Sequence, residues 1–357
     1  MLKLTAILLL AASSLVSSAQ GITSPRVPSP AATVSQTIGI STVNVSYSRP
    51  SVKDREIWGK LVPYGWNVQA FGAGNSAPWR AGANENTVIK FSHNATVEGQ
   101  PVPAGSYGLF FVINNDNTGE VILSKDYRSW GSFFYDAKSD LFRKKIQVRD
   151  NPQTELLTYD FGNITKTSAD LILMWEKKAF PVKIEFAVDD IVMANAAEEL
   201  KSTTGFNWQG YQSAANYALQ NKINYEQALT WSEKAVTMNN SFATLATKSA
   251  LLKAIGKTDS ADKVMNTAVA IGTEVEINAY AYQLLNDKQN DKAISMFILN
   301  TQRHPKSANT WDSLGEGYVL TGDKKNAIAN FKKSLSLNPP ELVKANSEKY
   351  LKQLGAM

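Results

Sequence analysis

The chain has 357 residues with 43% hydrophobic and 19% charged residues, 21 Gly, 13 Pro, and no Cys. That length and composition suit two cored domains and do not suit a disordered chain. Without cysteine there is no disulfide, thiolate metal site or cysteine nucleophile. Two histidines, His93 and His304, cannot build a three-histidine centre and leave little for a His-dependent triad, so no metal and no cofactor is implied.

The first element is a leader. Lys3 is followed by an apolar run over residues 4–12 and by Ser17-Ser18-Ala19, a small-x-small cleavage pattern. Residues 1–19 therefore read as a signal peptide cut near Ala19, because the run is shorter than the roughly 20 residues that span a bilayer. The absence of cysteine excludes a lipid-modified cysteine. The expected address is outside the cytoplasm, periplasmic or extracellular, with no membrane span.

Residues 20–188 have β texture. Period-two alternation or short apolar runs mark strands over 42–47, 87–91, 95–97, 106–113, 120–125, 143–148, 156–161, 169–176 and 182–188. Asn114-Asn115-Asp116-Asn117-Thr118-Gly119 is a hairpin loop between two of them. Residues 54–64 read as a short helix or an irregular turn. The natural solution is an all-β sandwich or jelly roll.

After Asp190 the texture turns helical. Residues 189–207 predict a connecting helix and linker, residues 208–341 a repeat array, and 342–357 a C-terminal cap helix. The array shows itself in Ala228, Ala261, Ala293 and Ala327, spaced 33, 32 and 34 residues apart. Small residues at that period let paired helices cross closely. Trp311, Leu314, Gly315, Tyr318, Gly322, Ala327, Phe331 and Pro339 stand in order through the last repeat. The stretch resembles tetratricopeptide repeat proteins, which implies all-α helix pairs that bind proteins or peptides along a concave groove.

The β half also carries a resemblance. Its segments are Ser24-Pro25, Val45-Ser46-Tyr47-Ser48-Arg49-Pro50-Ser51-Val52-Lys53 with Arg55, and Trp58-Gly59-Lys60-Leu61-Val62-Pro63-Tyr64-Gly65. Trp79-Arg80-Ala81-Gly82-Ala83-Asn84-Glu85, Pro103 to Phe110, Trp130-Gly131 and Trp175-Glu176 follow. Together they resemble the bacterial domain of unknown function 2911, with extra residues between Gly65 and Trp79. The resemblance implies an exported β domain of Bacteroidota, often followed by tetratricopeptide repeats, and supplies no catalytic residues.

Two candidate sites follow. In the β domain Arg49, Ser51, Lys53, Arg55 and Trp58, with Trp79, Arg80, Asn84 and Glu85, form the densest polar–aromatic cluster; Arg49, Arg55, Trp58, Trp79, Arg80, Asn84 and Glu85 are its candidate ligand-binding residues. Arginine recognises carboxylate or phosphate, and tryptophan offers a flat face to sugars. This points to an anionic or glycan ligand; the bland alternative is that the same residues anchor loops, with Arg80 paired to Glu85. In the array the register set by Trp311 places Asn309, Asp312 and Glu316, then Asn278, Tyr282 and Asn286, then Lys253, then Tyr217, Gln220 and Asn221 in the groove. That polar set predicts an uncharged or basic extended peptide as partner.

Other motifs read as structural. His93 lies in a turn, and Asp189-Asp190 and Glu198-Glu199 are helix neighbours that point apart. Ser260-x-x-Lys263 lacks any companion motif. Residues 21–195 hold 18 basic against 17 acidic side chains and residues 196–357 hold 18 against 15, so neither half has the basic surplus nucleic acid requires. The leading reading is an exported, non-enzymatic interaction protein. The alternative is an envelope hydrolase using carboxylates drawn from Asp54, Glu56 and Glu85.

Overall fold

The computed structural model describes residues 28–357. The leader, its cleavage site and Ser24-Pro25 lie outside the described residues. The chain divides into two compact units between Ile191 and Val192.

The first unit is a β-sandwich. Its strands are β1 (Ala31–Ile38), β2 (Ser41–Ser48), β3 (Asn67–Val68), β4 (Ser76–Ala77), β5 (Val88–Phe91) and β6 (Ala95–Val97). They continue with β7 (Gln100–Val102), β8 (Gly105–Ile113), β9 (Thr118–Ser124), β10 (Asp140–Gln147), β11 (Arg149–Gly162) and β12 (Ser168–Glu185). One sheet runs β1-β2-β5-β8-β9-β10, a second runs β11-β12-β6-β7, and β3 with β4 forms a small hairpin. Every pairing is antiparallel.

β8 explains the layering. Tyr107 to Ile113 are all buried, so this central strand is covered on both faces. On one face Phe111 meets Phe180 of the opposite sheet, ring centroids 5.4 Å apart. On the other, Phe110 and Val112 pack with Ile122, Ala77, Tyr135 and Trp66. The residues between Gly65 and Trp79 thus cover the outer face of the larger sheet.

The structure alters the reading of two strands and adds detail to two other segments. β1 was not expected: it is an edge strand whose residues are mostly exposed or half-buried, so its apolar alternation is faint. The two strands read over 169–176 and 182–188 are one strand of 18 residues, β12. Pro181 looks like a break but falls between the ladder to β11, which reaches Ala179, and the ladder to β6, which starts at Ile184, so no ladder bond is lost. Residues 54–64 form irregular turns, with Lys53, Asp54 and Gly59 at positive φ where a helix cannot run. The expected connecting segment carries α1 (Val188–Glu199), and its Met193, with Leu200 just beyond, belongs to the core of the helical unit.

The second unit pairs α2 (Trp208–Asn221) with α3 (Tyr225–Met238), α4 (Phe242–Ala254) with α5 (Thr258–Ile271), α6 (Glu274–Asn286) with α7 (Asn290–Arg303), and α8 (Ala308–Thr321) with α9 (Lys324–Leu335). α10 (Glu341–Gln353) follows. Ala228, Ala261, Ala293 and Ala327 are all buried, as close helix crossing demands. Capping boxes start α4 at Ser241/Thr244 and α6 at Thr273/Glu276. Gly315 has its own reason: a Cβ there would sit 2.8 Å from the Phe331 ring. The apolar core includes several clusters. One cluster runs from Met193 to Ala261, and others centre on Phe297 and on Phe331.

Candidate functional site

In the β unit a cleft of about 750 Å³ opens among the loops, large enough for a small ligand. Trp79 and Trp175 line it as a stacked pair, centroids 5.9 Å apart and planes 16° from parallel. The backbone of Trp79 is fixed by two hydrogen bonds with Phe111 of β8, each 2.9 Å. Trp175 is fully buried, and its indole N–H has no acceptor among the described residues. Lys53, Arg55 and Arg80 also line the cleft, and no carboxylate does.

Arg80 is the notable cation. Its guanidinium donates to the carbonyl of Asn84 at 2.5 Å and lies over the Phe133 ring, 4.8 Å from the centroid. Gly131, at positive φ, lets the chain pass against it, since a Cβ would collide with the guanidinium. No carboxylate among the described residues pairs with it. Burial alone pushes its pKa below the ordinary arginine value. A half-buried guanidinium without a paired carboxylate keeps much of its positive field, and that field reaches the cleft it lines.

The other residues of the set divide. Arg55 lines the cleft, tied to the carbonyls of Val52 (3.0 Å) and Ser51. Asn84 lines it and donates to the Ser29 carbonyl at 3.3 Å. Arg49 turns away and binds the Leu157 carbonyl and the Thr158 hydroxyl, at 3.0 and 2.6 Å, joining β2 to β11. Trp58 stands behind the site: it packs edge-on against Trp79 and Trp175 and donates to Glu176 at 3.2 Å. Glu85 is half-buried outside the lining, while Asp54 and Glu56 are exposed and also outside it. The cleft therefore offers no pair of carboxylates for acid–base hydrolysis. Ser51 and Lys53 of the polar–aromatic cluster line the cleft, and Trp130 and Trp175 are lining residues that the cluster did not include, although both stand in the segments that carry the family resemblance.

In the array the groove positions are largely satisfied from within. Asp312 is buried and accepts from Asn346 at 2.8 Å and from Ser347, both on α10. Glu316 accepts from the Tyr282 hydroxyl at 2.6 Å and from Asn346 at 2.7 Å. Burial raises the pKa of Asp312, nearby Glu316 adds to that, and the bonds from Ser347 and Asn346 oppose it. Burial, then the bond to Glu316, raises the Tyr282 hydroxyl as well. Asn309 donates to Glu274 of the preceding repeat at 3.3 Å. Asn278 is half-buried with its carbonyl oxygen unpartnered, and Asn286 is exposed.

Asn346 lies 34 residues after Asp312, as Asp312 does after Asn278, so the repeat period extended into the cap helix would have found it. In α2 the side chains that face α4 are Gln212 and Asn216, which meet Thr247 at 2.7 and 3.0 Å. Tyr217, one residue later, packs with the core around Met193 instead; Asn221 donates to the Tyr217 carbonyl at 2.9 Å and Gln220 is exposed. Lys253 lines a second cleft, about 430 Å³, bounded by α4, α5 and α6. Ala246, Ala250 and Ala279 give it a small-residue floor, and Asp262, Tyr280 and Asp287 stand on its wall.

The remaining motifs stay structural in place. His93 shares a bond of 2.9 Å with Ser92 in a turn, His304 caps the end of α7, and Ser260 and Lys263 are both exposed on α5. Glu198 pairs with Lys201 on the surface at 2.6 Å.

Comparison with known proteins agrees with this division. Residues 29–184 match the family described as a protein of unknown function, DUF2911. Residues 308–341 match the tetratricopeptide repeat. The β unit thus carries the first resemblance and the helical unit the second, and the latter is an architecture that binds proteins and peptides. No curated protein matches the sequence. Similar solved structures include YrrB, a TPR protein with an unusual peptide-binding site, at 18% identity over 45% of this chain and 84% of that one, TM-score 0.29. MamA matches at 17% identity over 46% and 92%, TM-score 0.30, and pilF of Pseudomonas aeruginosa at 21% over 43% and 71%, TM-score 0.29. Among the described residues no helix is long and apolar enough to cross a membrane.

Proposed function

We propose that this is an exported, non-enzymatic binding protein of the cell envelope, in which the β cleft holds an anionic ligand such as an acidic glycan and the repeats hold a protein or peptide. The observation that carries the reading is the cleft's charge balance: Lys53, Arg55 and Arg80 beside stacked Trp79 and Trp175, with no carboxylate in the lining. Arginine meets a carboxylate or phosphate through two parallel hydrogen bonds, and an indole face covers the apolar side of a sugar ring. The leader over residues 1–19 supports export. On the helical side the cleft bounded by α4, α5 and α6 suits the peptide better than the inner positions of α6 and α8, where Tyr282, Asp312 and Glu316 are already bonded.

The test is titration calorimetry of the mature full-length protein with paired acidic and neutral oligosaccharides of equal size. Binding of the acidic member alone, weakened at least about tenfold in Arg80→Gln, is the expected result. Equal binding of both members, or none of either, overturns it.

A further inference from the structure

The cleft's mouth has a second property that its charge does not explain. Leu61, Val68 and Trp130 are lining residues whose side chains are largely turned to solvent, with Val68 72% exposed. Phe71 is 69% exposed and touches the lining residue Phe133 and its neighbour Phe134, at 5.7 and 6.4 Å between ring centroids. Phe134 is itself exposed. An aromatic and aliphatic collar thus surrounds a cationic cleft. Single exposed apolar residues are ordinary; a contiguous set around one opening is not.

The collar is built on purpose-shaped chain. Val68 ends β3 and Phe71 sits in the connection to β4, within the residues that this sequence has in addition to the family pattern between Gly65 and Trp79. That connection is anchored from below: the Ala73 amide donates to the Phe133 carbonyl at 2.8 Å, and Gly72, at positive φ, passes so close that a Cβ would collide with the same carbonyl. Trp66 and Ala77 at its two ends are packed into the core over β8 and β9. The anchoring holds Val68 and Phe71 outward although burying them would be favourable.

We propose that this face docks on an anionic lipid bilayer, the cleft taking a lipid headgroup while Val68, Phe71 and Trp130 enter the interfacial layer. The inference rests on the anionic-ligand reading of the cleft. A lipid bilayer presents anionic headgroups directly above a broad apolar layer, matching Lys53, Arg55 and Arg80 inside and the collar outside. Tryptophan favours the headgroup depth, where one side of the ring is apolar and the other wet. Exposed Lys60 adds positive charge near the rim; exposed Asp54 and Glu56 in the same loop oppose it, so the attraction is moderate and apolar insertion must contribute.

The experiment is co-sedimentation of the mature full-length protein with vesicles of phosphatidylcholine, alone or carrying about 30% phosphatidylglycerol, beside calorimetry with soluble glycerol phosphate and an acidic oligosaccharide. The variants are Val68→Ser with Phe71→Ser, and Arg80→Gln, each checked for folding by circular dichroism. Expected is binding to the anionic vesicles only, reduced about tenfold or more by either variant, with the collar variant leaving soluble-anion binding unchanged. Soluble anions bound but vesicles ignored would overturn the bilayer proposal and leave the ligand reading standing. Neither bound would overturn both. Equal binding to neutral vesicles, or vesicle binding indifferent to the collar variant, would also overturn the proposal.

Discussion

Both units bury a charged side chain, and they treat it in opposite ways. In the β unit Arg80 sits beneath the loops with a carbonyl and a ring for company and no counter-charge. In the helical unit Asp312 is more deeply buried but receives hydrogen bonds from Asn346 and Ser347. A charge that hydrogen bonds within the fold satisfy needs nothing further; a charge without a paired carboxylate is where the proposed anion would add most. The contrast directs the search for function to the β cleft and away from the inner face of α8.

Several measurements would break or sharpen this contrast. The largest effect is expected at Trp175, the buried floor of the cleft. Trp175→Ala should cost about 3–5 kcal/mol by chemical denaturation, whereas Trp175→Phe, which deletes an N–H that has no acceptor, should cost about 1 kcal/mol or less. If both cost the same, the indole N–H has a partner and the floor is not poised as described.

Next comes Asp312→Ala, which strands two donors of α10 and should destabilise by about 1–3 kcal/mol. The matching removal of charge in the other unit, Arg80→Gln, should leave stability within about 1 kcal/mol of the parent or raise it, while weakening ligand binding about tenfold or more. Effects of the same sign and size in both units would remove the distinction. The smallest expected effect is in pH. Burial raises the pKa of Asp312 above its usual 3.8, so the folded state holds that proton more tightly than the unfolded state. Its contribution is most favourable below 3.8 and declines as pH rises through the folded value. Subtracting the Asp312→Asn profile from the parent's should isolate that falling slope; a rising one would mean that the bonds from α10 outweigh the burial.

The sequence made the two halves legible for different reasons. The helical repeats announce themselves because close crossing forces small residues at a fixed period, and Ala228, Ala261, Ala293 and Ala327 stand at that period wherever solvent faces vary. Strand limits were less visible because β12 is interrupted by Lys177-Lys178 and Pro181, residues that usually end strands, at the place where one partner strand stops and another begins. Of the site, Arg80, Trp79, Arg55 and Asn84 were legible because they stand close together in sequence as well as in space. The lining residue Trp175 lies on a distant strand, and nothing in the local sequence ties it to them. The exposure of Phe71 was hidden for a further reason: an aromatic residue reads as core material until the structure shows which face it was given.

The cleft beside Lys253 has a mechanical consequence. A solenoid transmits stability from repeat to repeat through shared side-chain packing. Here that cleft opens among α4, α5 and α6, so only part of the contact between the helices up to α5 and those from α6 onward is packed side chain, with Val269 and Ile277 buried beside it. What joins the two sides includes the Phe242–Tyr280 ring contact, at 6.3 Å, and the bond from Arg303 to the Val269 carbonyl, at 2.5 Å. The array should therefore unfold in two cooperative blocks, with amides of α6 to α10 exchanging at a common rate distinct from that of α1 to α5. A ligand that lodges in the seam would fuse the blocks into one, so its arrival is readable as a merging of two exchange rates before its identity is known.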